Sequence, residues 1–206
     1  MITNPAINQY ILDLLPPRDP VLAEMEAYAA ENGVPIIGPA VATVLAQLVR
    51  LSGAKRIFEL GSAIGYSTIW LARAAGPKAE VHYSDGSEAN AARAREYFRL
   101  ASLESRIVLH IGDALEALAS VPGQFDFIFN DVDKEGYPAV LTAAPDRLRT
   151  GGLFVTDNTL WHGKVLRAED ETTHAVVEFN RKLFEDKRFM TSMLPLRDGV
   201  SVAIKL

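Results

Sequence analysis

Lys55-Arg56-Ile57-Phe58-Glu59-Leu60-Gly61-Ser62-Ala63-Ile64-Gly65-Tyr66-Ser67 is the stretch where the chain changes character. A short apolar run meets two glycines four positions apart, and an amphipathic pattern follows. That order reads as strand, tight turn and helix, the opening of a βαβ unit. Upstream, residues 1–52 read as helices separated by Pro16-Pro17 and by the glycine- and proline-containing segment 33–39. Downstream, short apolar runs alternate with helical patterns. Strands are expected over 56–60, 80–84, 106–110, 125–130 and 153–156, with helices over 66–75, 88–101, 137–148 and 171–186. Runs over 189–194 and 200–205 flank the turn Arg197-Asp198-Gly199 and read as a hairpin. One α/β domain over residues 1–206 is expected, with a helical segment 1–52 and a doubly wound core 53–206. Its sheet should be mainly parallel, of roughly seven strands, with an antiparallel hairpin at one edge.

The 206 residues, 49% hydrophobic and 23% charged, can bury a sizeable core. A net charge of −5 gives no basic excess for a nucleic-acid backbone. No apolar run nears the ~20 residues of a membrane span, and the N-terminus shows no basic segment followed by an apolar one. With no cysteine, disulfides and thiolate metal sites are excluded. A cytoplasmic protein with a small-molecule partner is the expectation.

In an open α/β sheet, ligands gather at the carboxyl ends of strands near the switch in strand order. The Gly61–Gly65 spacing matches neither the dinucleotide fingerprint nor the P-loop. Asp85, 24 residues beyond Gly61, stands where a carboxylate can accept ribose hydroxyls. Gly112-Asp113-Ala114 follows the third strand and can face an adenine. Asp85 and Asp113 read equally as helix caps.

The fourth strand ends in Asn130-Asp131-Val132-Asp133-Lys134 and the fifth in Thr156-Asp157-Asn158. Adjacent strands lie about 4.8 Å apart, so Asp131, Asp157 and Asn158 can converge as hard oxygen ligands. Mg²⁺ suits such a set, with Ca²⁺ or Mn²⁺ as alternatives. A turn and a helix cap would use the same residues. Lys134, three residues past Asp131, faces a helix start against the dipole preference and is a general-base candidate.

These segments resemble the metal-dependent O-methyltransferases that include the caffeoyl-CoA and catechol enzymes. The resemblance rests on Phe58-Glu59-Leu60-Gly61 with Gly65-Tyr66-Ser67, Gly112-Asp113-Ala114, Asp131-Val132-Asp133-Lys134 with Tyr137, Asp157-Asn158-Thr159-Leu160-Trp161-His162-Gly163-Lys164-Val165, and Leu194-Pro195-Leu196-Arg197-Asp198-Gly199. It implies a Rossmann-like methyltransferase fold and a homodimer. It also implies S-adenosylmethionine contacts from Ile37, Glu59, Gly61, Ser62, Ser67, Asp85, Asp113, Ala114, Asp131 and Asp133. It assigns a divalent cation to Asp131, Asp157 and Asn158, the base to Lys134, and a phenolic acceptor contact to His162. Four positions depart from the family pattern. Val41 and Ala42 stand where relatives often carry an acid and a glycine, Asn130 replaces an apolar residue, and Ser192 replaces a glutamate of the mammalian catechol enzyme. A nicotinamide-dependent oxidoreductase or a non-catalytic cofactor-binding protein are the competing readings. Glycine spacing and the terminal hairpin disfavour the first, and the carboxylate-lysine set disfavours the second.

Overall fold

The computed structural model of the protein describes residues 4–206. The opening stretch forms strand β1 (Arg56–Leu60) and, after the glycine turn, helix α4 (Tyr66–Ala75). Three helices precede them: α1 (Pro5–Leu14), α2 (Pro20–Asn32) and α3 (Gly38–Ser52). Asp19 caps α2 by accepting the Val21 N–H at 3.1 Å, and Gly33 ends it at φ +67°. Next come β2 (Glu80–Asp85), α5 (Glu88–Leu100), β3 (Ile107–Ile111), α6 (Ala114–Ser120) and β4 (Phe125–Asn130). α7 (Tyr137–Arg147), β5 (Leu148–Thr156), α8 (Glu171–Glu185), β6 (Phe189–Leu194) and β7 (Val200–Lys205) complete the chain.

The seven strands lie in the order β3-β2-β1-β4-β5-β7-β6. β1 to β5 pair in parallel, while β7 runs antiparallel to both β5 and β6. Central strands are buried on both faces, as parallel strands require. The period of two divides them between two cores. Ile57, Phe127, Phe129 and Val155 pack with α2 to α5, whereas Phe58, Ile128 and Phe154 pack with α6 to α8. The order reverses between β1 and β4, so the loops after these strands flank the crevice.

β1, β4, β6, β7 and α4 have the bounds expected from sequence. β5 begins at Leu148, five residues earlier than the apolar run suggests. Thr150-Gly151-Gly152 looks like a turn, but Gly151 (φ +74°) lies inside the strand, whose pairing with β4 shifts register between Phe125 and Phe127. β3 starts one residue late because Glu104–Arg106 forms a 3₁₀ turn. The helix α6 realises the cap reading of Asp113 but is too short to show as a helical pattern. No helix among the described residues is long and apolar enough to cross a membrane. α1 buries none of its side chains, and Ile7, Tyr10 and Leu14 are exposed.

Candidate functional site

The glycine turn is shaped first by the protein itself. A Cβ on Gly61 (φ +81°) would lie 2.5 Å from the Asp131 carbonyl oxygen, so the loops after β1 and β4 touch backbone to backbone. A Cβ on Gly65 would lie 2.6 Å from the Phe98 ring. Gly61 and Ser62 donate their N–H groups to the Ser84 carbonyl at 3.1 and 2.9 Å, tying the turn to β2. Ser62 is buried, and its hydroxyl accepts the Ser84 N–H at 3.1 Å.

Asp85 ends β2 but does not cap α5; Ser87 does, accepting the Asn90 N–H at 3.2 Å. The Asp85 carboxylate instead accepts Ala63 N–H and Ser87 N–H, each at 2.9 Å, and the Asn90 side-chain amide at 3.0 Å. It thus joins the glycine turn to the loop after β2. Asp113 does act as a cap, accepting Leu115 N–H and Glu116 N–H at 2.8 Å each. Asp113 and Asp133 are exposed and Ala114 is partly buried, while Ser67 and Ile37 are buried.

Glu59 is fully buried in β1, with the Thr68 hydroxyl bonded to Oε2 and no partner in hydrogen-bond geometry for Oε1. Burial pushes its carboxyl up to about 7, although the hydroxyls of Ser67, Thr68 and Ser62 oppose the shift. Asp131, beyond β4, is also raised by burial, with the Lys134 ammonium opposing. Lys134 Nζ lies 3.2 Å from Asp131 Oδ1 and 3.2 Å from the Val132 carbonyl. It also sits over the Tyr137 and Trp161 rings, at 5.1 and 5.7 Å from their centroids.

Asp157, at the end of β5, is 1% exposed, and neither carboxylate oxygen has a hydrogen-bond partner. Burial, and then repulsion from Asp131, raise it to about 7. Its nearest cation is Arg197, with Nη1 3.8 Å from Oδ2. Tyr137 fixes this strand end by donating its hydroxyl to the Asp157 carbonyl at 2.7 Å. Asn158 follows in the left-handed region at φ +53°, where asparagine is tolerated.

The hairpin turn locks the segment after β5. Thr159 N–H donates to the Gly199 carbonyl at 3.0 Å and Leu160 N–H to the Asp198 carbonyl at 2.9 Å. The buried Asp198 carboxylate accepts the His162 N–H at 2.6 Å, and His162 Nδ1 lies 3.5 Å from its other oxygen. His162 itself is 57% exposed.

Among the described residues no three His, Asp or Glu side chains gather as a metal cluster. The candidate set remains two carboxylates and the Asn158 amide. It fits a hard cation, because Asp157 is a buried carboxylate whose oxygens lack hydrogen-bond partners and feel the repulsion of a second carboxylate. A cleft of about 370 Å³ is walled by α1, α2 and the segment entering α3, and Arg197, which lines it, links it to Asp157. Val41 and Ala42, departures from the family pattern, are fully buried in the core.

Sequence reasoning had no signal for the reach of Arg197, for the burial of Asp198 or for Glu26. The Glu26 carboxylate accepts the Tyr66 hydroxyl at 2.7 Å from across the first core. Each depends on a contact between distant segments.

A family model described as O-methyltransferase matches residues 18–206. A catechol O-methyltransferase of Niastella koreensis is 34% identical over 97% of this chain and 96% of its own length. Caffeoyl-CoA O-methyltransferase 2 of Petunia hybrida is 29% identical, covering 100% of this chain and 93% of its own. The crystal structure of an O-methyltransferase from Bacillus cereus in complex with SAH superposes with a TM-score of 0.88 at 31% identity, covering 98% of this chain and 97% of that one. The seven-stranded sheet, its antiparallel hairpin and these likenesses agree: the chain belongs to the O-methyltransferase family.

Proposed function

We propose that this protein transfers the methyl group of S-adenosylmethionine to a phenolic hydroxyl, catechol- or caffeoyl-like, with a divalent cation held by Asp131, Asp157 and Asn158. Mg²⁺ is the first choice of cation. One observation carries the metal reading. Asp157 is a buried carboxylate whose two oxygens lack hydrogen-bond partners and, among the described residues, meet only the distant Arg197 guanidinium, set beside a second carboxylate at the end of the neighbouring strand. Left alone, that arrangement is costly; with a cation between the carboxylates it becomes a ligand set.

S-adenosylmethionine supplies a methyl group on a sulfonium centre and departs as S-adenosylhomocysteine. A divalent cation supplies a Lewis acid that would hold the acceptor oxygen and favour its ionised form. The chain contributes the rest. The Gly61–Gly65 turn and Asp85 hold the nucleoside, with Glu59, Ser62, Ser67 and Ile37 contributing further cofactor contacts. Lys134, placed by Asp131 and two aromatic faces, takes the proton from the acceptor hydroxyl in its neutral amine form, the ammonium having first given up its own proton. The phenolic oxygen then bonds to the methyl carbon as the carbon–sulfur bond breaks. His162, exposed on the segment after β5, contacts the acceptor. Fixing both reactants in line provides much of the acceleration.

A homodimer, a cytoplasmic location and a small phenolic partner complete the proposal, and the net charge of −5 supports a partner other than nucleic acid. The oxidoreductase alternative gains nothing from the family match. The test is methyl transfer from labelled S-adenosylmethionine to phenolic acceptors with and without EDTA. EDTA treatment and Asp157→Ala should each stop transfer, and Mg²⁺ should restore only the treated wild type. Cofactor affinity should stay largely intact in both. Full activity in EDTA, with no bound metal by elemental analysis, would remove the cation from the proposal.

A further inference from the structure

We infer that Arg197 anchors an anionic group on the acceptor, so that the preferred substrate is a compact phenol carrying a carboxylate. This rests on the proposed methyl transfer and names the substrate class of that site.

The cleft of about 370 Å³ is small for a ligand site, since such sites run from roughly 300 to 1,000 Å³. One ring with a short arm fills it. Its walls are mostly apolar, with Leu12, Ala29, Val34 and Ile37 among them. Two charged side chains line it, Glu26 and Arg197.

Glu26 is already occupied. Its carboxylate accepts the Tyr66 hydroxyl at 2.7 Å and pairs with Arg18 at 3.2 Å. Arg197 differs. Among the described residues its ion pair is with Asp157 at 3.8 Å, beyond hydrogen-bond length, and its side chain is 37% exposed. A guanidinium presents five donors in a planar fork that matches a carboxylate. This fork stands in an apolar cleft, next to the strand end where the acceptor hydroxyl must sit.

Charge points the same way. Asp157 is a candidate cation ligand, and a cation on its oxygens would compete directly with Arg197 for them. The guanidinium would then face the cleft with its charge uncompensated. An acceptor that brings a carboxylate as well as an ionising hydroxyl meets both demands.

The turn supports a fixed position. Arg197 has φ +53°, in the left-handed region, and the Gly199 N–H donates to the Leu196 carbonyl at 2.8 Å. A Cβ on Gly199 would lie 2.6 Å from the Leu160 side chain, so the hairpin tip is seated against the segment after β5.

The experiment compares a dihydroxybenzoate bearing adjacent hydroxyls with the matching dihydroxybenzamide, an uncharged analogue. Calorimetric binding with Mg²⁺ and S-adenosylhomocysteine present forms one arm, and the kcat/KM of methyl transfer the other. Wild type should bind the benzoate roughly 10- to 100-fold more tightly than the amide, the scale of hydrogen bonds to a charged group. Arg197→Asn removes the charge with a side chain that tolerates the left-handed turn, and should bring that ratio near one. Arg197→Lys should keep part of it. A ratio near one in wild type, or an unchanged ratio in Arg197→Asn, overturns the assignment. Selective binding of the benzoate without methyl transfer to either compound would uphold the Arg197 anchor and overturn the proposed reaction.

Discussion

Replacing Gly61 with alanine tests the idea that the crevice is built by backbone contact between the loops after β1 and β4. The added Cβ falls 2.5 Å from the Asp131 carbonyl oxygen, 2.7 Å from its carbon and 2.8 Å from the Val132 nitrogen. Ordinary contact begins near 3.4 Å, so backbone must separate by up to 0.9 Å. Overpacking of this kind costs about 1–3 kcal/mol. The left-handed backbone adds about 1–2 kcal/mol, and a less flexible unfolded chain returns about 0.4–1 kcal/mol. A net loss of roughly 2–4 kcal/mol follows from these terms. Gly33→Ala is the control, because Gly33 has φ +67° but nothing within 4 Å of the added carbon. It should lose only about 1 kcal/mol. Urea denaturation reads both variants. Methyl transfer should fall about 100-fold in Gly61→Ala, because a displacement near 1 Å at the reacting groups has that scale. Equal stability losses at the two positions would show that the loops have room to part, and the close-approach reasoning would be wrong.

A second test concerns the buried His82 and the half-buried His110, whose rings lie 2.9 Å apart nitrogen to nitrogen and stack on Phe58, with Glu80 on the outer nitrogen of His82. Burial lowers both imidazoles below 6.5, against the Glu80 carboxylate at His82 and with His82 reinforcing the shift at His110. Their stabilising contribution is therefore full above pH 6.5 and is lost as pH falls through the lowered folded values. Denaturation midpoints across acid and neutral buffers should show this drop, and His82→Phe should flatten it; an equally steep drop in the variant would place the titration elsewhere. Asp85→Ala should weaken S-adenosylmethionine by about 1.5–3 kcal/mol and also loosen the glycine turn, since the carboxylate holds Ala63, Ser87 and Asn90. Unchanged affinity by calorimetry rules out the ribose role. Lys134→Ala should lower kcat by roughly 10²–10⁴-fold, with a smaller loss for more acidic phenols; a uniform loss across acceptor acidities would make Lys134 a positioning group.

Much of this architecture is written locally. The runs forming β1, β4, β6 and β7 alternate or cluster apolar residues between clear breakers, so their bounds follow from pattern alone. β5 hides its first residues because Thr150-Gly151-Gly152 imitates a turn; Leu148 pairs with Phe125 of β4, and the register resumes only at Leu153 with Phe127. At the site, the strand-end carboxylates were legible because topology brings such ends together. The role of Asp85 as a tie between loops was not, since its partner Ala63 lies 22 residues away. Asp113 used as a cap is the simpler of its two readings, realised by a helix too short to stand out. Arg197 and Asp198 looked like turn residues, and turn residues they are. What they reach is set by the hairpin packing on the segment after β5, which no local pattern encodes.

The helix α1 has a bearing on how enzymes of this design diverge. It supplies Asn8 and Leu12 to the cleft, yet buries no side chain of its own. Surface substitutions of that kind usually change stability by no more than about 0.5 kcal/mol. The opposite side of the crevice is held by Tyr137, Asp157 and the seated hairpin, where change disturbs buried polar partners. Drift in α1 can therefore reshape the entrance almost without penalty, while the machinery beneath it stays constant. Libraries confined to residues 5–14 should yield mostly folded proteins with altered acceptor preference, a separation of tolerance from chemistry that suits both natural divergence and directed evolution.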